Sequence, residues 1–203
     1  LMDERIKEDP LVLEIAGNDL EDAKGYLAGE MGELAIELSS RQPGPGMPSP
    51  LQTLIASSAL HVASKHGIEP DGVFHGTFGS GTLSAGKKTI EDAWDVIPYD
   101  NRLVVLYLTR EELTGVMNES LLGGTDRALF GFEVEVAGAE AAKGETRKTR
   151  FVKSLKALRN DGPHTEGHRY CIVFNSYDVQ SGGKRLMRLR ALAERPECRA
   201  ALL

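Results

Sequence analysis

The stretch at residues 73–109, VFHGTFGSGTLSAGKKTIEDAWDVIPYDNRLVVLYLT, decides how the rest of the chain is read. It opens as a short apolar strand and runs into a loop of small residues, Gly76, Gly79, Ser80 and Gly81. Glycine permits positive φ and close backbone approach, so a loop of this kind between strand and helix can hold a small ligand. Thr89 with Asp92 on the third residue beyond it is a variant of the capping box and predicts a helix start. That helix carries Ile90, Ala93, Trp94 and Ile97 and is stopped by Pro98. Tyr99 sits at the bend, and the β-prone run Leu103 to Leu108 leaves it.

Working upstream, residues 1–17 read as a connector, with Pro10 breaking a charged segment from Leu11-Val12-Leu13. Asn18 is positioned to cap a helix over about 19–38, whose Leu20, Ala23, Leu27, Met31, Leu34 and Leu38 recur at near-helical spacing. The Pro- and Gly-rich segment 42–50 has no period and is a loop. Ser49, with Pro50 at the first helical position, then starts a second helix. Its expected buried stripe is Leu51, Leu54, Ile55, Ala59 and Val62, and His66-Gly67 end it.

Downstream, Thr109 with Glu112 makes another capping box for a helix to about Leu121. Residues 130–136 alternate like a strand, and 138–148 are small and polar, a hairpin tip or loop. Residues 149–158 and 168–175 read as further strands, separated by the turn residues Asn160-Asp161-Gly162-Pro163. Ser181-Gly182-Gly183 open into a basic amphipathic helix with Leu186, Leu189 and Leu192 on one side, ended by Pro196. The sum is an α+β chain with helices layered on strands.

Composition narrows the function classes. The 203 residues are 41% hydrophobic, enough for a sizeable core, and no apolar run approaches the roughly 18 residues of a membrane span. The net charge of −6 argues against nucleic acid as a partner. That average hides a polarity: residues 1–40 have a balance of −8, three basic against eleven acidic, and residues 147–199 have +8, thirteen basic against five acidic. Either two solvated faces attract each other, or the basic half adjoins an anionic ligand. Cys171 and Cys198 fit no metal spacing, and Cys171 reads as a buried thiol. His164 and His168 lie four apart, but Pro163 and Gly167 oppose a metal-binding helix there. No Walker loop, dinucleotide fingerprint or nucleophile elbow occurs.

The order of parts at 73–109 resembles the C-terminal domain of the 5'-nucleotidase family, which includes UDP-sugar hydrolases and 2',3'-cyclic nucleotide phosphodiesterases. In that family a strand ends in Asn-Gly-Gly-Gly-Ile-Arg, and a helix leads to Leu-Pro-Phe and an apolar strand. Here the matching residues are His75-Gly76-Thr77-Phe78-Gly79-Ser80 and Ile97-Pro98-Tyr99. A second matching segment, Phe174-Asn175-Ser176-Tyr177-Asp178 followed by Gly182-Gly183-Lys184, is similar to the family's strand, Asn-x-aromatic and Gly-Gly-Asp. The resemblance implies a connector and linker helix over 1–41 and a nucleoside- or substrate-binding domain over 42–203.

It also implies a substrate site. Tyr99 and Tyr177 would clamp a nucleobase, and His75, Gly76, Phe78, Ser80, Asn175, Asp178, Gly182 and Gly183 would surround it. His75 and Ser80 stand where the family has Asn and Arg, and Lys184 stands where it has Asp. These replacements imply either altered specificity or a second role, a non-catalytic interaction domain that keeps the scaffold around a degenerate pocket. In the family a pair of divalent metals and the Asp-x-His, Asn-His-Glu/Asp and His-x-His patterns that bind them belong to an N-terminal metallophosphoesterase domain. None of those patterns occurs here, so the expectation is a chain with no catalytic residue, metal or cofactor of its own, presenting a nucleoside or nucleotide to that partner domain. The family's compartment, periplasmic or extracellular, is the expected one.

Overall fold

A computed structural model describes residues 9–77, 81–123, 127–138, 150–159, 167–180 and 184–203. In chain order the first half comprises α1 (Pro10–Leu27), β1 (Glu30–Leu34), β2 (Leu38–Ser39), α2 (Pro50–Lys65), β3 (Gly72–Gly76), β4 (Thr82–Leu83), β5 (Gly86–Thr89) and α3 (Ile90–Val96). The second comprises β6 (Leu103–Thr109), α4 (Arg110–Gly123), β7 (Arg127–Phe130), β8 (Phe132–Gly138), β9 (Arg150–Ala157), β10 (Arg169–Asn175), α5 (Ser176–Val179), α6 (Met187–Ala193) and β11 (Arg199–Leu202).

The centre is a five-stranded mixed sheet in the order β11-β6-β10-β3-β7. β10 runs parallel to β3 and antiparallel to β6, and nearly every residue of β10 is buried, as expected of a strand covered on both faces. The period-2 alternation of side chains divides the core in two. Phe74, Leu106, Leu108, Ile172 and Phe174 point to the layer built by α4, α6 and the β8–β9 hairpin. Val73, Val105, Cys171 and Val173 point the other way, onto Ala56, Ala59 and Ala63 of α2. Alanine against β-branched side chains lets α2 approach the sheet closely, whereas the first layer is thick with Leu and Phe. Burying each of those large side chains contributes about 1.5–3 kcal/mol.

The caps expected at Ser49, Thr89 and Thr109 form, and at Ser49 the structure adds a reciprocal bond from Gln52. Gln52 N donates to Ser49 Oγ at 3.1 Å and Ser49 N to Gln52 Oε1 at 2.8 Å. Thr89 N donates to Asp92 Oδ2 at 2.7 Å, and Thr109 N to Glu112 Oε2 at 2.9 Å. Glu112 also receives Arg169 at 3.0 Å and Arg195 at 3.4 Å, which ties β10 and the segment after α6 to the start of α4.

Four expectations are corrected. The first helix spans Pro10–Leu27, capped by Asp9 rather than Asn18, and Pro10 starts it instead of breaking it. Its expected continuation to Leu38 is instead β1 and β2, which pair with β5 and β4. Gly29 lies where a Cβ would come within 3.0 Å of the Ile90 side chain. The buried stripe of α2 is Leu51, Gln52, Ala56, Ala59 and Ala63, while Leu54 and Val62 are exposed. The basic helix begins at Met187, and a 3₁₀ turn at Pro196–Cys198 leads into the edge strand β11. The basic C-terminal half and the acidic N-terminal segment meet different partners among the described residues: Arg169 and Arg195 pair with Glu112, and Glu30 pairs with Lys87.

Candidate functional site at the ends of β3 and β10

Parallel pairing of β3 with β10 sets Gly72 beside Ile172 and Val73 beside Val173. The same register carries on to Phe74 and Phe174, whose rings lie 5.6 Å apart, and then to His75 and Asn175 at the strand ends. Two polar side chains that are 100 positions apart in the chain thereby meet, with Asn175 Nδ2 3.4 Å from His75 Nδ1. Asn175 is also the cap of α5: its Oδ1 accepts from Asp178 N at 2.8 Å, and its Nδ2 donates to Asp178 Oδ2 at 2.9 Å.

Asp178 is buried and would be costly there as an isolated carboxylate. Arg127, at the start of β7, supplies the counter-charge. Its Nε donates to Asp178 Oδ2 at 2.8 Å, and its Nη2 to Asp178 Oδ1, the planar two-pronged pairing that guanidinium favours. Asp178, one of the residues expected to touch substrate, thus has both oxygens engaged within the protein. Arg127 was not among the residues expected at the site. The only signal for it is the need of a buried carboxylate for a cation, which cannot be read before Asp178 is known to be buried.

His75 is 9% exposed, and burial holds its imidazole down at about 4. The Asp178 carboxylate opposes that shift and the Arg127 guanidinium adds to it. At neutral pH the ring is therefore uncharged and works as a hydrogen-bonding group, with Nδ1 turned to Asn175. Gln52 closes the other side. Its Nε2 donates to the His75 carbonyl at 3.5 Å while its Oε1 caps α2, so the start of that helix is pinned to the end of β3.

From this polar end a cavity of about 610 Å³ runs between α2, α3 and β1. Leu54, Ile55, Ser58 and Val62 of α2 form one wall, and Ala93, Val96 and Ile97 at α3 form the other. The apolar residues of α2 that the sequence assigned to the core thus face this space. Tyr99 and Asn101 stand at its edge, and Tyr99 is largely exposed. Tyr177 lines an adjoining cavity that shares Asn101. The two turns carrying the tyrosines are bonded together: Ser176 N donates to the Arg102 carbonyl at 2.8 Å, and Arg102 N to Ser176 Oγ at 3.1 Å.

Gly76 ends β3 opposite Arg127 in the ladder with β7. Phe78, Ser80, Gly182 and Gly183 lie outside the described residues. Of the paired histidines, His164 also lies outside them, and His168 packs edge-on against Tyr170. Among the described residues no three His, Cys, Asp or Glu side chains cluster to hold a metal, and no helix is long and apolar enough to cross a membrane.

A mixed sheet with helices on both faces, and a part-apolar cleft at the ends of two adjacent parallel strands, define an α+β domain. The family model "5'-nucleotidase, C-terminal domain" matches residues 29–191, and the chain belongs to that family. Among solved structures it is similar to a 5'-nucleotidase precursor from Thermus thermophilus, with a TM-score of 0.67 and 18% identity over 95% of this chain. It is also similar to an NAD nucleotidase from Haemophilus influenzae, with a TM-score of 0.59 and 14% identity over 95% of this chain. The chain spans 38% and 36% of the length of those two proteins. No curated protein matches it by sequence.

Proposed function

We propose that this chain is the substrate-binding part of a metal-dependent 5'-nucleotidase-like phosphoesterase that hydrolyses phosphate esters of nucleotides. The observation that carries the reading is the meeting of His75 with Asn175 at the ends of β3 and β10, beside Tyr99 and the turn bearing Tyr177. An uncharged imidazole can hydrogen-bond a base edge or a ribose hydroxyl, with the Asn175 carboxamide beside it held by Asp178. An exposed tyrosine face stacks on any base, worth about 1–3 kcal/mol. The chemistry at phosphorus belongs to an N-terminal metallophosphoesterase domain, where a divalent metal pair would activate water. This chain's task is to bind and orient the nucleoside. The proposed compartment is periplasmic or extracellular, in keeping with the family resemblance.

One observation favours the other reading, a scaffold retained for interaction: Asp178 is consumed by Arg127 and Asn175 rather than free for ribose hydroxyls. Titration calorimetry separates the two. Adenosine is expected to bind weakly, and Tyr99→Ala to weaken it by about 1–3 kcal/mol, with no hydrolysis of AMP by the chain alone. Flat isotherms for adenosine, AMP and UDP-glucose alike would decide for the interaction domain.

A further inference from the structure

We infer that the cleft between α2 and α3 selects uncharged ligands, so that the site takes a nucleoside in preference to its phosphate ester. This rests on the nucleoside reading above and concerns which form of the ligand the cleft accepts. The charged side chains among the described lining residues are Glu33, Lys88 and Asp92. Lys88, the cation of the three, is already engaged: its Nζ donates to Asp92 Oδ1 and to Ser84 Oγ, each at 3.1 Å. Asp92 in turn is held at the start of α3 by Thr89. Nearby, Arg127 is committed to Asp178.

What the cleft offers is therefore a small net negative charge from Glu33, a self-contained ion pair, an uncharged histidine–asparagine end and apolar walls. A phosphate brought to such a surface loses hydration and meets, among the described lining residues, no cation free to replace it. A nucleoside loses much less, because its base and sugar are matched by apolar contact and by the uncharged His75 ring at the strand end. Discrimination of this kind comes from a cost imposed on the wrong ligand as much as from contacts with the right one.

The test is calorimetric titration of the chain with adenosine and with AMP, at low and at high salt. AMP is expected to bind roughly tenfold more weakly at low salt, the effect of a like charge a few ångströms away in a partly wet site, with the gap narrowing as salt rises. Leu54→Arg places a cation on the exposed wall of the cleft and should close most of that gap, read as the ratio of AMP to adenosine affinity within the same variant. Ser58→Trp fills the cleft and should abolish adenosine binding. Ser57→Trp, a substitution at the next, solvent-facing position of the same helix, should not. Equal or tighter binding of AMP overturns the inference and leaves the nucleoside reading standing. Unchanged adenosine binding in Ser58→Trp overturns it by placing the ligand elsewhere. Failure of both ligands to bind removes the nucleoside reading and this inference with it.

Discussion

The imidazole of His75 makes the site a sensor of acid, and the size of the effect follows from its burial. An exposed histidine gains its proton near 6.5, while His75 in the fold is held down at about 4, chiefly because burial disfavours the charged ring. Between these values the unfolded chain binds a proton that the folded chain does not. The stability contributed by the neutral ring is therefore fully present above pH 6.5 and is lost as pH falls toward 4. A difference of about 2.5 pH units at about 1.36 kcal/mol each is about 3 kcal/mol. At 9% exposure little solvent screening reduces it. The charged groups facing the ring are Asp178 and Arg127, and protonation of carboxylates will add its own acid sensitivity to the same curve.

The variant His75→Asn separates these contributions, since it removes the ring and leaves the carboxylates. Urea denaturation from about pH 8 to 4 should show wild type losing about 2–3 kcal/mol more than the variant, whatever the variant's stability at the alkaline end. NMR titration offers an independent reading, with the His75 ring signals unmoved through the range where exposed histidines titrate. Parallel stability curves, or a His75 titration near the ordinary histidine value, would refute the claim that the ring is buried and neutral.

Two further outcomes are expected. Arg127→Leu strands a buried carboxylate and should cost about 3–5 kcal/mol in denaturant unfolding, whereas Arg127→Leu with Asp178→Leu should recover most of it; a double variant as damaged as the single would show that the pair itself holds β7 to α5. Gly131, with φ +88, would drive an added Cβ into the Asp71 carbonyl, and Asp71 is pinned to Cys171 by two hydrogen bonds of 2.8 Å. Gly131→Ala should therefore lower stability by roughly 2–4 kcal/mol, measured as a fall in Tm, and a Tm within error of wild type would contradict the close approach.

How much of this was legible in the sequence depends on the range over which each feature is set. The cap at Ser49 and the capping boxes at Thr89 and Thr109 are local devices, each complete within a single helical turn, and all three form. The strands β6, β9 and β10 are dense in β-branched or apolar residues and were readable for the same reason. β1 and β2 were not. Their Glu-Met-Gly-Glu-Leu and Leu-Ser sequences have little strand character, and they are held by partners far downstream, with Glu30 paired to Lys87 at 3.1 Å. The leucine spacing over 19–38 resembled one long helix, yet Gly29 and Gly32 carried the opposing signal.

The site divides along the same line. His75, Asn175 and the two tyrosines stood out in the sequence because their neighbourhoods along the chain resemble a known arrangement. Arg127 was not, because it completes a charge balance that exists only after β7 has paired with β3 and α5 has folded over the strand end. The stripe on α2 shows the cost of reading hydrophobicity without the partner surface. Leu54, Ile55 and Val62 are the more apolar residues, but the sheet beneath α2 presents Val73, Val105 and Val173, and alanines fit closest against it. The larger side chains are turned aside and become the wall of the cleft. That displacement follows from packing: the side of α2 that fits the sheet is its alanine side, so the larger side chains are left to line the cleft beside His75 and Tyr99.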